Sequence, residues 1–199
     1  MHRADRRGVA CVALLALAGG LSRIGVAQAI GRGFELERAG QPAQAAAVYE
    51  NTLRADPANL PALLGLERVL PSLGRLPDLL PLLQRAIAAD GGSAALMALL
   101  LRTFVGLNAP DSAAAVALRW AEDVPREEAP FREWAGALEQ HRRFDAARSV
   151  LLMGRRVLGR ATALAPELAG LLQRAGDWAG AAREWAAAVR AAPTQFAVA

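Results

Sequence analysis

Apolar positions along the chain fall into short stripes at helical spacing. Leu168, Leu171, Leu172 and Ala175 form one stripe, and Ala181, Trp185, Ala188 and Val189 form the next. Steps of three and four residues put these side chains on one face of an α-helix. Gly176 falls between the two stripes, where a left-handed C-terminal cap costs glycine little. Asp177 follows it, a residue type that caps the start of the next helix. The pattern predicts two amphipathic helices joined by a tight turn.

The same unit recurs. "GDWAGAAREWAAAVRAAP" at 176–193 restates "GQPAQAAAVYENTLRADP" at 40–57. Leu36, Leu70, Phe104, Leu138 and Leu172 keep a constant step of 34, and so do Ala45, Leu79, Ala113, Ala147 and Ala181. The closing residues Pro57, Gly91, Pro125, Gly159 and Pro193 hold the same phase. A fixed period of this length is the signature of stacked supersecondary units. Pro42, Pro110 and Pro130 fall at predicted helix starts, where the missing N–H is harmless. A small residue at the Ala45/Ala181 position lets two antiparallel helices approach to about 8–10 Å.

A 34-residue helix–turn–helix with glycine, alanine, tyrosine or tryptophan, and proline at these offsets resembles the tetratricopeptide repeat. The resemblance covers about 26–195, in units starting at 26, 60, 94, 128 and 162. It implies an all-α fold, a right-handed superhelical solenoid of antiparallel helix pairs. It also implies a concave groove lined by the first helices that holds another protein or a peptide. By the resemblance, Phe34, Arg38, Leu64, Arg68, Arg102, Arg132 and Arg174 line that groove, with Gly136 and Gly170 among its small floor positions. Such a groove suits an extended or helical peptide with some acidic character. Ile30, Phe34, Leu64 and Gly65 stand where some family members carry a charged clamp for C-terminal carboxylates, so no such clamp is expected.

Several positions depart from the pattern. Asn108 and Arg142 replace the turn glycine, Glu67 sits where a small residue is usual, and Trp120 stands where alanine is expected. Pro71 and Pro81 predict a distorted second unit. Gly154 and Arg155 at packing positions predict that the fourth unit has the poorest second helix.

The first 29 residues have another character. A basic start, "HRADRR", leads into the apolar run "GVACVALLALAGGL" at 8–21 and then Ala27-Gln28-Ala29, a small-x-small pattern. This arrangement reads as a secretory signal. The run is shorter than the roughly 20 residues a membrane-spanning helix needs. The expected organisation is a signal over 1–29, a helical repeat domain over 30–195 and a short tail over 196–199. The expected location is the periplasm, or outside the cell. An uncleaved segment would instead make the protein a membrane-anchored structural subunit of an envelope or secretion complex.

The chain carries 23 basic residues, all arginine, against 19 acids, for a net charge of +4. Four of the arginines and Asp5 lie in the signal, which leaves 19 arginines against 18 acids. A nucleic-acid surface needs a domain-wide excess, so none is expected. Cys11, the one cysteine, lies in the signal, so the rest of the chain has no thiol. His141 is the only histidine after His2 and is expected in a turn. No cysteine pair, His-x-x-x-His or glycine-rich phosphate loop occurs, so no cofactor, metal or catalytic set is expected. Two charge blocks stand out: Glu122 to Glu139 is acidic, and Arg142 to Arg160 is basic. The last helix, with Trp178, Trp185, Val189 and Phe196 nearby, is expected to leave an apolar patch for a second copy or an envelope partner.

Overall fold

The computed structural model of the protein describes residues 25–191. The expected signal run and the tail with Phe196 lie outside the described residues. The chain divides at Gly91 into two compact units. Within the described residues every regular element is helical.

In the N-terminal unit, α1 occupies 25–38 and α2 Pro42–Ala55. Residues 25–29, expected in the signal, are helical here. Helix α3 covers Leu60–Val69, with Asn59 accepting the Ala62 N–H as its cap. Two short 3-10 turns follow, Pro71–Leu73 and Leu76–Asp78, and then α4, Leu79–Asp90. The prolines account for this expected distortion. Pro71 cannot continue α3, and α4 opens only two residues before Pro81, so that proline falls in its first turn. Tyr49, Leu53, Leu63, Leu66, Leu70, Leu79 and Leu83 fill the core.

The C-terminal unit holds α5 (Ala94–Gly106), α6 (Pro110–Asp123), α7 (Ala129–Gln140), α8 (Phe144–Leu158), α9 (Ala165–Arg174) and α10 (Trp178–Ala191). Its core runs through Leu101, Phe131, Trp134, Leu138, Leu151, Leu164 and Leu168. Ala113, Ala147 and Ala181 are buried at the helix crossings, where the period placed small residues.

One turn joins each first helix to its second. Residues 40, 74, 108, 142 and 176 all take positive φ, between 56° and 80°. After each, a backbone N–H reaches back to the carbonyl of Leu36, Leu70, Phe104, Leu138 or Leu172, at 2.8–3.0 Å. This is the Schellman closure. Asn108 and Arg142 therefore hold the glycine conformation without being glycine. Asparagine tolerates it, and it accepts a hydrogen bond from Arg143. For arginine the left-handed region costs about 1–2 kcal/mol. Asp177 caps α10 as expected, accepting the Gly180 N–H at 2.8 Å.

The fourth unit corrects one expectation. Helix α8 is 15 residues long and well packed. A Cβ on Gly154 would stand 2.7 Å from both Phe131 and Leu164, so the glycine makes room for their side chains. Leu164 is buried with φ at 57°, and α9 starts at Ala165, later than the period suggested. Arg155 donates to the Ala163 carbonyl at 2.8 Å and pairs with Glu184 of α10. Trp120, at an alanine position, is buried in α6. At the far end, Trp178 is 69% and Val189 42% exposed, while Trp185 is half-buried.

Candidate binding face of the first helices

The face is built from Tyr49 upward in the N-terminal unit. Its ring comes from α2 and is fully buried. A Cβ on Gly33 of α1, or on Gly65 of α3, would lie 2.5 Å from Tyr49 Cζ. The two glycines thus clear the space that lets α1 and α3 close on the ring. Phe34 meets Tyr49 edge-on, with centroids 6.4 Å apart. The Tyr49 hydroxyl donates to Glu37. Arg68 of α3 donates Nε to Glu37 Oε2 at 2.9 Å and Nη2 to Oε1 at 2.8 Å. Its guanidinium lies over the Phe34 ring, 4.9 Å from the centroid, at cation–π distance.

These contacts set the charges. The Arg68 fork holds the Glu37 carboxyl below the usual carboxylate range, helped by Tyr49 and opposed by burial. Burial, together with its bond to Glu37, pushes the Tyr49 phenol well above its ordinary value. Arg68 is raised by the same carboxylate.

In the C-terminal unit, ion pairs join successive first helices. Arg102 of α5 reaches Glu133 of α7 at 3.8 Å. Arg132 of α7 pairs with Glu167 of α9 and with Glu128 at 2.8 Å. Arg174 of α9 pairs with Glu139 of α7. Burial pulls Arg132 down, but its carboxylates prevail and its value rises. Glu139 goes the other way: burial raises it, nearby Glu167 adds to this, and Arg174 offsets only part. Each exposed pair contributes about 0.2–1 kcal/mol. Between the Arg132 and Arg174 pairs lie Gly136 and Gly170. A Cβ on Gly136 would meet nothing within 4 Å, and one on Gly170 only the Arg174 guanidinium.

The seven expected groove residues thus have distinct surroundings. Phe34 is 44% exposed under Arg68, Arg38 is exposed, and Leu64 is half-buried. Arg68, Arg102, Arg132 and Arg174 each already hold a carboxylate of a neighbouring first helix. The sequence reading missed those partners, Glu37, Glu133, Glu139 and Glu167. The signal was there: each pair is separated by 31 or 35 residues, one period with a small offset. Of the two charge blocks, the basic one is engaged in part: Arg155 pairs with Glu184, Arg160 pairs with Glu128, and Arg143 donates to the neutral Asn108 amide. His141 is exposed in the turn after α7, as expected. Among the described residues, no group of three or more His, Cys, Asp or Glu could hold a metal ion, and no helix is long and apolar enough to cross a membrane.

No family model matches the sequence, and no curated protein matches it either. Solved structures do resemble it. PilF of Pseudomonas aeruginosa superposes with a TM-score of 0.52 at 17% identity, over 83% of this chain and 76% of that one. TTC0263 of Thermus thermophilus, a thermophilic TPR protein, gives 0.49 at 19% identity, over 85% and 92%. MamA gives 0.47 at 16%, over 87% and 97%. At 17% identity the likeness to PilF speaks to fold alone. With the recurring turn, the small residues at the crossings and the helix pairs already described, the chain has the tetratricopeptide-repeat fold.

Proposed function

We propose that the protein is an exported helical-repeat scaffold that binds a segment of another protein along the face of its first helices. The observation that carries this is the pair Gly136 and Gly170. Glycine inside a helix costs about 0.5–1 kcal/mol relative to alanine. Packing accounts for Gly33, Gly65 and Gly154. It does not account for Gly136 and Gly170, which stand one period apart on α7 and α9. Gly31 also meets nothing, but its counterpart 34 residues on, Gly65, is filled by Tyr49. Two bare positions in step leave backbone open to the close approach of another chain. The flanking ion pairs give that chain polar edges to meet, and they cancel much of the attraction for acidic ligands that isolated arginines would exert.

Export is supported by the basic, apolar and small-residue order of the first 29 residues. The place of action on this reading is the periplasm or cell envelope. Crosslinking of the full chain in envelope extract tests the binding face. The wild type is expected to capture a partner that the Gly136→Leu/Gly170→Leu variant, still helical by circular dichroism, does not. A partner captured equally by both would sink the assignment of this face. Mass spectrometry of the mature N-terminus tests export. A terminus after Ala29 is expected, whereas a terminus at Met1 moves the protein to the anchored alternative.

A further inference from the structure

The outer face of α10 departs from its own repeat. Among the described residues α10 packs against α9, with Ala181 and Ala188 buried. At helical steps of 100° a second stripe runs beside that one, through Trp178, Ala182, Trp185 and Val189. Trp178, Ala182 and Val189 are exposed, and Trp185 is half-buried. Earlier repeats bury the matching positions. Tyr49, Leu83, Ala117 and Leu151, in step with Trp185, are fully buried, and so nearly are Leu53 and Ala121, in step with Val189. Tyr49 shows what does the covering: Gly65 of α3, in the first helix of the next repeat, closes on its ring. The α10 stripe is therefore a seat for one more helix, about 16 Å or three turns long.

Helix α1 is finished differently. It exposes Arg32 and Glu35, whereas one repeat on, α3 buries Leu66 and Val69. Polar residues of this kind close the terminal face of a repeat stack. On α10 the corresponding outer face is apolar.

Charge selects the occupant. Arg183 and Arg190 are exposed along one edge of the stripe, beyond Ala179 and Ala186, and hold no carboxylate among the described residues. A second copy docking by α1 would bring Arg32 and Glu35 to the positions at which α3 buries Leu66 and Val69. Two α10 helices packed antiparallel about a two-fold axis would set the arginine edge against itself. A foreign helix with Asp or Glu on the matching edge meets neither obstacle. Ala179, Ala182 and Ala186 let its backbone come close.

We infer that the outer face of α10 docks an amphipathic helix of another protein. The apolar stripe of that helix packs on Trp178, Trp185 and Val189, and its Asp or Glu residues pair with Arg183 and Arg190. This surface is distinct from the face of the first helices, and neither reading depends on the other.

Selection of a displayed library of single four-turn helices on the full chain tests the inference. Enriched helices should carry apolar residues at steps of three and four, with Asp or Glu along one edge. Remade as synthetic peptides, they should lose at least about tenfold in affinity for Trp178→Ala and for Arg183→Glu/Arg190→Glu. Trp178 is 69% exposed, so its removal leaves the core intact. Changing the acids of the peptide to lysine should restore binding to the double glutamate variant. A selection that enriches no helix overturns the inference, as do helices without an acidic edge or indifferent to these substitutions. Helices bound by a chain ending at Ala191 but not by the full chain would make residues 192–199 the occupant. Self-association in light scattering that Trp178→Ala abolishes would make it a second copy. Binding to vesicles of phosphatidylglycerol and phosphatidylcholine that the same change abolishes would make it a membrane. Each of these three also overturns the inference.

Discussion

In the N-terminal unit, Gly33 of α1 and Gly65 of α3 close on opposite edges of the buried Tyr49 ring. In the C-terminal unit, Gly136 of α7 and Gly170 of α9 face open space, but for the Arg174 guanidinium near Gly170. The residue type is the same and both pairs belong to first helices, yet the physical roles are opposite. The first pair serves packing, because a methyl group there would collide with an aromatic ring that has nowhere to go. The second pair does nothing for the fold and lowers helix stability. The comparison separates glycines that build the protein from glycines that a partner would need.

The sharpest way to break the comparison is a cycle on Tyr49. Tyr49→Ala should cost about 3–5 kcal/mol in chemical denaturation, as expected for a fully buried aromatic. Gly65→Ala alone should cost about 1–3 kcal/mol by overpacking. In the Tyr49→Ala background the same change should become neutral or stabilising, because the ring it struck is gone. Equal costs in both backgrounds would show that the glycine serves backbone conformation and not the ring.

Gly154→Ala extends the test to the C-terminal unit. Its Cβ would press on Phe131 and Leu164, and a loss of about 1–3 kcal/mol is expected from the thermal midpoint and denaturant curve. No loss would mean that α8 shifts freely, contrary to its packing.

The bare glycines should respond with the other sign. Gly136→Ala and Gly170→Ala should each stabilise by about 0.5–1 kcal/mol, since the helix gains and nothing collides. A destabilisation at either site would place it among the packed glycines, and the scaffold reading would lose its support.

The smallest effects concern pH, and here too the units differ. The Glu37 carboxyl is held low in the fold, so its contribution is present above the ordinary glutamate value, about 4.3, and fades as pH falls through the folded value. The Glu139 carboxyl is held high, so the native state binds its proton more tightly than the unfolded chain does. Its contribution is complete below about pH 4.3 and is lost as pH rises through the folded value. Thermal midpoints at neutral pH should therefore drop for Glu37→Gln and hold or rise for Glu139→Gln. A drop for both would mean that Arg174 compensates Glu139 more fully than its burial suggests.

Much of this molecule was legible before any coordinates. The helix pairs, their turns and the buried Ala45, Ala113, Ala147 and Ala181 follow from period alone, because helical spacing and the cost of left-handed backbone are local rules repeated five times. Even Asn108 and Arg142 keep the turn, since a Schellman closure needs only its backbone bonds. The arginines were legible as positions on the first helices but not as partners. Spacing along a chain tells which residues share a helix face, and a charge pair between helices depends on how two faces meet. The same holds for the glycines. The repeat placed Gly136 and Gly170 on the expected groove floor and Gly154 at a packing position, but only the tertiary structure decides which of Gly33, Gly65, Gly136, Gly154 and Gly170 a side chain fills. An empty site is defined by what its neighbours occupy, and those neighbours come from distant turns of the chain.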